Sequence, residues 1–199
     1  MTDTALLPRH IAFILELDKL KAVLRRTKPL GLDRHENSAE HSWQVCLLAL
    51  SLTDYADEPV DIDRVIRMLL VHDIGEIDVG DHIVFSDAAQ GNKGEELIAV
   101  KRIFGLLPEP RAAELLALWC EFEDNATPSA RFANAMDRLM PALQNLHNDG
   151  QSWRENGIRP EQVRAKVYPK IAAGSRALGD YFLESLAEAE TAGLFDATR

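Results

Sequence analysis

The chain has 199 residues, 46% hydrophobic and 27% charged, an ordinary globular composition that excludes a disordered polymer and suffices for one sizeable core. With 22 Lys and Arg against 32 Asp and Glu, the formal charge of −10 excludes a broad polyanion-binding surface, because nucleic-acid affinity rests on phosphate neutralisation by many cations. A small phosphate ligand needs only a few local positive charges and stays open.

The two cysteines, Cys46 and Cys120, are too few for a disulfide framework and read as buried free thiols in a reducing compartment. Near the N-terminus the apolar stretch Ile11–Leu15 is broken at once by Glu16 and Asp18, unlike a signal peptide. The longest wholly apolar runs, Val45–Leu50 and Leu115–Cys120, fall far short of the ~20 residues of a membrane span. These features predict a soluble, cytoplasmic protein with neither a nucleic-acid nor a membrane partner.

In chain order, Phe13, Leu17, Leu20 and Leu24 recur on one helical face, and Lys28-Pro29 and Gly31 end that helix. Asn37, with Glu40 three residues on, reads as the capping box of a second helix carrying Val45, Leu48, Leu52 and Tyr55 inward. A third starts after Asp61, buries Val65, Met68 and Leu69, and stops near Gly75. Residues 75–94 read as a loop with room for one helical turn. A fourth helix carries Leu97, Val100 and Phe104. A fifth, after Pro108 and Pro110, carries Leu115, Leu118, Trp119 and Phe122. Thr127-Pro128 opens a sixth with Phe132, Met136, Leu139, Leu143 and Leu146 on one stripe. Residues 147–159 read as a loop. From Pro160 a last helical region, broken or kinked at Pro169, continues through Leu178, Phe182 and Leu186. No alternating strand run, repeat or composition shift appears, so the expectation is one all-α domain over 1–199. It would be a bundle of six or seven helices with its core at about 10–150 and C-terminal helices at about 160–190 packed on it.

Chemistry is sought where polar residues occupy apolar positions. His41 lies four residues before Val45 and extends the second helix's stripe. His72 lies four after Met68 and is followed by Asp73. Buried groups of this kind are costly unless paired or coordinated. His10, His35 and His82 sit in polar or terminal contexts and read as ordinary. Asp137 flanks the apolar stripe of the sixth helix, where a cation or a neighbouring arginine such as Arg138 would satisfy it. Pro141 removes the hydrogen bond to the Asp137 carbonyl, so a bend is expected there.

The ordered set Glu40-His41-Ser42, His72-Asp73-Ile74-Gly75-Glu76 and Met136-Asp137-Arg138 resembles the HD-domain metal-dependent phosphohydrolase superfamily. Leu24-Arg25-Arg26, Glu36-Asn37, Gly80-Asp81 and the acidic segment Trp119–Glu123 add a closer likeness to the YfbR-type 5′-deoxynucleotidases and the related eukaryotic HD-domain nucleotidases. The likeness covers about residues 10–150.

The resemblance implies metal ligands His41, His72, Asp73 and Asp137, a water-orienting acid at Glu76, a second active-site acid at Asp81 and a phosphate-binding arginine at Arg26. Taken alone, Arg26 also reads as a cation at a helix C-terminus. Where that family has a tryptophan after the arginine, this chain has Thr27, so discrimination of deoxyribose from ribose rests on other groups if it exists here. Two imidazoles and two carboxylates suit Mn, Co, Fe, Ni or Zn better than Mg. The activity implied is removal of phosphate from (deoxy)nucleoside 5′-monophosphates by a homodimer. The same ligands would serve an HD-type phosphodiesterase or pyrophosphohydrolase, or an inactive metal-binding nucleotide sensor. The segment Asn145–Trp153 reads either as a pocket lining or as a polar loop with one anchoring Trp.

Overall fold

The computed structural model describes residues 4–85 and 93–196. Seven α-helices of ten residues or more build the bundle: α1 (Leu7–Leu17), α2 (Ser38–Leu52), α3 (Ile62–Val71), α5 (Lys93–Phe104), α6 (Arg111–Asp124), α7 (Pro128–Leu146) and α11 (Arg176–Thr191). Among the described residues four shorter ones, α4 (Glu76–Val79), α8 (Gln151–Glu155), α9 (Pro160–Lys166) and α10 (Tyr168–Gly174), fit between them. The expected all-α bundle is what forms, and three helix starts lie where the caps predict. Asn37 Oδ1 accepts from the amides of Ala39 and Glu40, while Glu40 Oε1 accepts from the Asn37 amide, closing a full capping box. Asp61 caps α3 and Thr127 caps α7.

Three expectations need correcting. The first helix does not reach Leu24: α1 ends at Leu17, a 3-10 turn covers Asp18–Ala22, and the chain then extends. The extended piece pairs antiparallel with residues 36–38, through Arg25 N–H to Glu36 O (2.8 Å), Glu36 N–H to Thr27 O (2.9 Å) and Ser38 N–H to Val23 O (3.0 Å). Main-chain pairing with a distant segment overrode the local helical periodicity. Second, residues 147–159 contain α8, whose first turn is capped by Asn145 Oδ1 accepting from the amides of Ser152 and Trp153. Third, the C-terminal region breaks twice. Pro169 lies in the first turn of α10, and a second break at Ser175 separates α10 from α11. Gly174 explains the close fit: a Cβ there would stand 2.5 Å from Arg131 O and 2.8 Å from Phe132 Cα, so only glycine lets α10 approach α7 this closely.

One apolar cluster runs through the bundle from Phe13 to Leu194. It buries Val45, Met68 and Leu69 with Ile103 and Phe104, and sets Phe132, Met136 and Leu139 of α7 against Ile171, Phe182 and Leu186. α7 runs unbroken through Pro141 and is buried along most of its length, which places its polar positions inside the bundle.

Candidate metal centre

Three helices carry the polar interior. The capping box fixes the start of α2 and so places His41, fully buried, one turn into the helix. α3 ends at Val71, and the turn that follows presents His72 and Asp73; Trp119 Nε1 donates to His72 O (3.1 Å) and pins that turn to α6. Asp137 faces them from the middle of α7.

The four side chains converge. Asp137 Oδ1 lies 3.1 Å from His41 Nε2 and 3.5 Å from His72 Nε2, and Asp73 Oδ1 lies 3.1 Å from His72 Nε2. One ligating atom each from His41, His72 and Asp73 falls within 4.8 Å of the others. The Nδ1 of His72 donates to Leu69 O (2.8 Å), so its Nε2 presents a lone pair, and that Nε2 is buried without a hydrogen-bond partner among the described residues. An orphaned imidazole nitrogen facing two carboxylates and a second imidazole fits a divalent cation by donor chemistry. Charge marks the same point. Burial disfavours the Asp137 carboxylate, but Arg138 and the two histidines hold it well below the usual range. Burial would lower His72, but Asp73 and Asp137 raise it to about 9.

The acids at Glu76 and Asp81 lie beside this cluster. Glu76 opens α4, and its Oε2 accepts from Ser38 Oγ (2.6 Å). Gly80 takes φ +79°, the left-handed backbone that ends α4 and turns Asp81 back toward the cluster. Burial, reinforced by the charge of Asp73, raises both carboxyls above their ordinary values.

The arginine facing the cluster is Arg25, which the sequence reading did not single out. Its Nη1 donates to Asp73 Oδ2 (2.9 Å) and lies 3.6 Å from Asp81 Oδ1 and 4.0 Å from Glu76 Oε1. Burial opposes its charge, but Asp73, Asp81 and Glu76 hold its pKa above the ordinary value. Arg26 is exposed and lines an adjoining cavity with Thr27, His82 and Trp153 instead. Side chains of an extended segment alternate, so Arg25 and Thr27 turn in while Leu24 and Arg26 turn out. A helical reading of this segment had no means of choosing between two adjacent arginines.

Other groups reach the same place unannounced. Glu36, only 1% exposed, stands behind His41. His82 lines both the adjoining cavity and the main cleft, with a buried Nε2 that has no partner among the described residues. The main cleft, about 400 Å³, opens over the cluster and is edged by Lys93, Arg138, Lys166 and Lys170. Of the Asn145–Trp153 segment, Asn145, Ser152 and Trp153 line the adjoining cavity. Asn145 spends its side chain on capping α8 and on Pro141 O, and Trp153 stacks on Phe195 with ring centroids 5.5 Å apart.

Residues 17–179 match the HD domain family model, and the chain belongs to that family. Among characterised relatives, 5′-deoxynucleotidase HDDC2 of Xenopus laevis is 31% identical over 139 residues, 67% of this chain and 68% of that one. The Homo sapiens protein of the same name is 30% identical over 137 residues, 66% of each chain. A crystal structure described as a predicted metal-dependent phosphohydrolase from Magnetospirillum magnetotacticum MS-1 superposes with a TM-score of 0.88 at 45% identity, covering 95% of this chain and 97% of that one. A Pyrococcus horikoshii OT3 protein at 22% identity shares the fold, with a TM-score of 0.60 over 91% of this chain and 98% of its own.

Proposed function

We propose that this chain is a divalent-metal-dependent phosphomonoester hydrolase that releases phosphate from nucleoside 5′-monophosphates, deoxyribonucleotides among them, with His41, His72, Asp73 and Asp137 as metal ligands. The observation that carries the reading is the meeting of two buried imidazoles on Asp137 Oδ1, 3.1 Å and 3.5 Å from their nitrogens, with Asp73 Oδ1 3.1 Å from His72 Nε2, at the base of a cleft that also holds a largely buried arginine. The relatives named 5′-deoxynucleotidase support the substrate class. A bound divalent ion supplies charge neutralisation at a phosphoryl oxygen and lowers the pKa of a water molecule. Two nitrogen donors favour Mn, Co, Fe, Ni or Zn over Mg.

The protein's own groups divide the remaining work. Arg25 offers its planar guanidinium to two phosphate oxygens, the part that the resemblance assigned to Arg26. Arg26 edges the adjoining cavity, where it meets the nucleoside side of the substrate. Glu76, held by Ser38, orients the attacking water, and Asp81, whose carboxyl burial raises above its ordinary range, is the acid that serves the leaving oxygen. The cleft lining holds five Lys and Arg against six Asp and Glu, a balance of −1 that a divalent ion turns to +1. An acidic protein thereby presents a locally positive site to a phosphate dianion.

Beyond the site, residues 1–199 read as one HD domain. The exposed Trp43, Leu47 and Leu50 of α2 and the nearby apolar groove lined by Leu48, Tyr55, Leu143 and Tyr181 offer a face for a second copy of the chain. Free Cys46 and Cys120 accord with a cytoplasmic location. Among the described residues no helix is long and apolar enough to cross a membrane.

The test is Asp137→Ala. Phosphate release from a panel of ribo- and deoxyribonucleoside monophosphates should fall to background and bound metal should be lost, with the circular dichroism spectrum unchanged. Undiminished activity overturns the metal assignment. Cleavage of cyclic nucleotides without free phosphate would move the chain to the phosphodiesterases.

A further inference from the structure

We propose that Glu36 is the positioning residue of this centre, its one buried carboxylate setting both the tautomer of the ligand His41 and the orientation of the Arg25 guanidinium. The inference rests on the reading of His41 as a metal ligand.

A carboxylate with 1% of its side chain exposed is expensive to bury unless several donors hold it. Glu36 is held from two directions. Its Oε1 accepts from Gln144 Nε2 on α7 (2.7 Å), and its Oε2 accepts from the Thr27 hydroxyl on the paired extended segment (3.2 Å). Both donors are themselves buried. This accounts for Thr27: its side chain turns inward to fix a carboxylate.

So fixed, Oε2 faces two nitrogens at once, His41 Nδ1 at 3.6 Å and Arg25 Nε at 3.6 Å. Both nitrogens are buried, and neither has a hydrogen-bond partner among the described residues. The distances are ion-pair distances, longer than hydrogen bonds. They place one anion between two donors that have no other recipient. A histidine that gives Nε2 to a metal must carry its hydrogen on Nδ1, and a carboxylate behind Nδ1 holds that tautomer and orients the ring. The same oxygen draws Arg25 Nε inward, which leaves Nη1 pointing at Asp73 and the cleft. Metal site and phosphate site are thus linked through a single acid that touches neither metal nor substrate.

The experiment compares Glu36→Gln, Asp137→Ala and the unaltered protein. Mn²⁺ affinity is measured by chelator competition, the absorption spectrum is recorded for the Co²⁺ form, and folding is followed by circular dichroism. Glu36→Gln should fold, weaken Mn²⁺ binding by about 10–100-fold, and change the Co²⁺ spectrum, a signature that a purely structural buried acid would not move. Wild-type affinity and spectrum in folded Glu36→Gln overturn the proposal while leaving the metal reading intact. Wild-type metal affinity in Asp137→Ala overturns the metal reading itself, and the proposal with it. If Glu36→Gln does not fold, ¹⁵N-labelled Zn²⁺-loaded wild-type protein decides. A strongly deshielded, slowly exchanging His41 Nδ1 proton supports the proposal, and a freely exchanging Nδ1 proton or a protonated Nε2 overturns it.

Discussion

α7 joins two regions built on opposite rules. Against α10 and α11 it contributes Phe132, Met136 and Leu139, which meet Ile171, Phe182 and Leu186 in a dry interior. Toward the cleft it contributes Asp137, with Gln144 behind it. Of nine buried side-chain nitrogen and oxygen atoms without a hydrogen-bond partner among the described residues, five lie around the cleft, on Arg25, His41, His72, His82 and Arg138. Native proteins rarely leave such atoms unmet; here Arg25 Nε and His41 Nδ1 face the Glu36 carboxylate at 3.6 Å, and His72 Nε2 is left for a ligand. On α7 itself Asn134 Nδ2 donates to Phe122 O (2.9 Å), and Gln144 gives its Nε2 to Glu36 while its Oε1 has no partner among the described residues. One side of the helix stabilises the fold; the other holds donors and acceptors in reserve.

The two sides should therefore fail separately. The largest stability loss comes from the dry side. Phe182→Ala, at a fully buried position, should cost about 3–5 kcal/mol, lowering Tm by roughly 6–20 °C for a chain of this size, as read by thermal denaturation. Mn²⁺ affinity of the folded fraction should stay within a few-fold of wild type, and a collapse of metal binding would erase the distinction. The polar side should behave in the converse way. Saturating the metal-free protein with Mn²⁺ at 100 times its Kd should stabilise it by about 2.7 kcal/mol, and Asp137→Ala should show no such gain.

The smallest effect is a control on burial away from both. The Cys46 thiol, pushed up to about 11 by desolvation, should resist iodoacetamide at pH 8 in the native protein and react once unfolded. Its folded pKa lies above the ordinary value of 9.0, so its contribution to stability is fully present below pH 9 and lost as the pH rises through about 11. Cys46→Ala should flatten that part of the stability profile.

Much of this was legible in the residues. Caps at Asn37, Asp61 and Thr127 work through side chains two or three positions from the amides they bind, so local text suffices to find them. His41, His72 and Asp137 were visible as polar residues on or beside apolar stripes, because a helix's period converts spacing into a face. The C-terminal break at Ser175 was hidden, since the need for Gly174 arises from Arg131 and Phe132 on another helix. The α8 turn was hidden because its cap, Asn145, sits at the end of the preceding helix.

What the amino-acid sequence determined by itself was the helical class, most helix starts and the residue types able to hold a divalent cation, all set by interactions within a few positions of one another. Only the tertiary structure decided that Arg25 rather than Arg26 faces the cluster, and that Glu36 stands behind His41. Both follow from the pairing of residues 23–27 with 36–38, a main-chain contact across a loop. A one-residue shift in that register would exchange the arginines, and nothing in the local sequence fixes it.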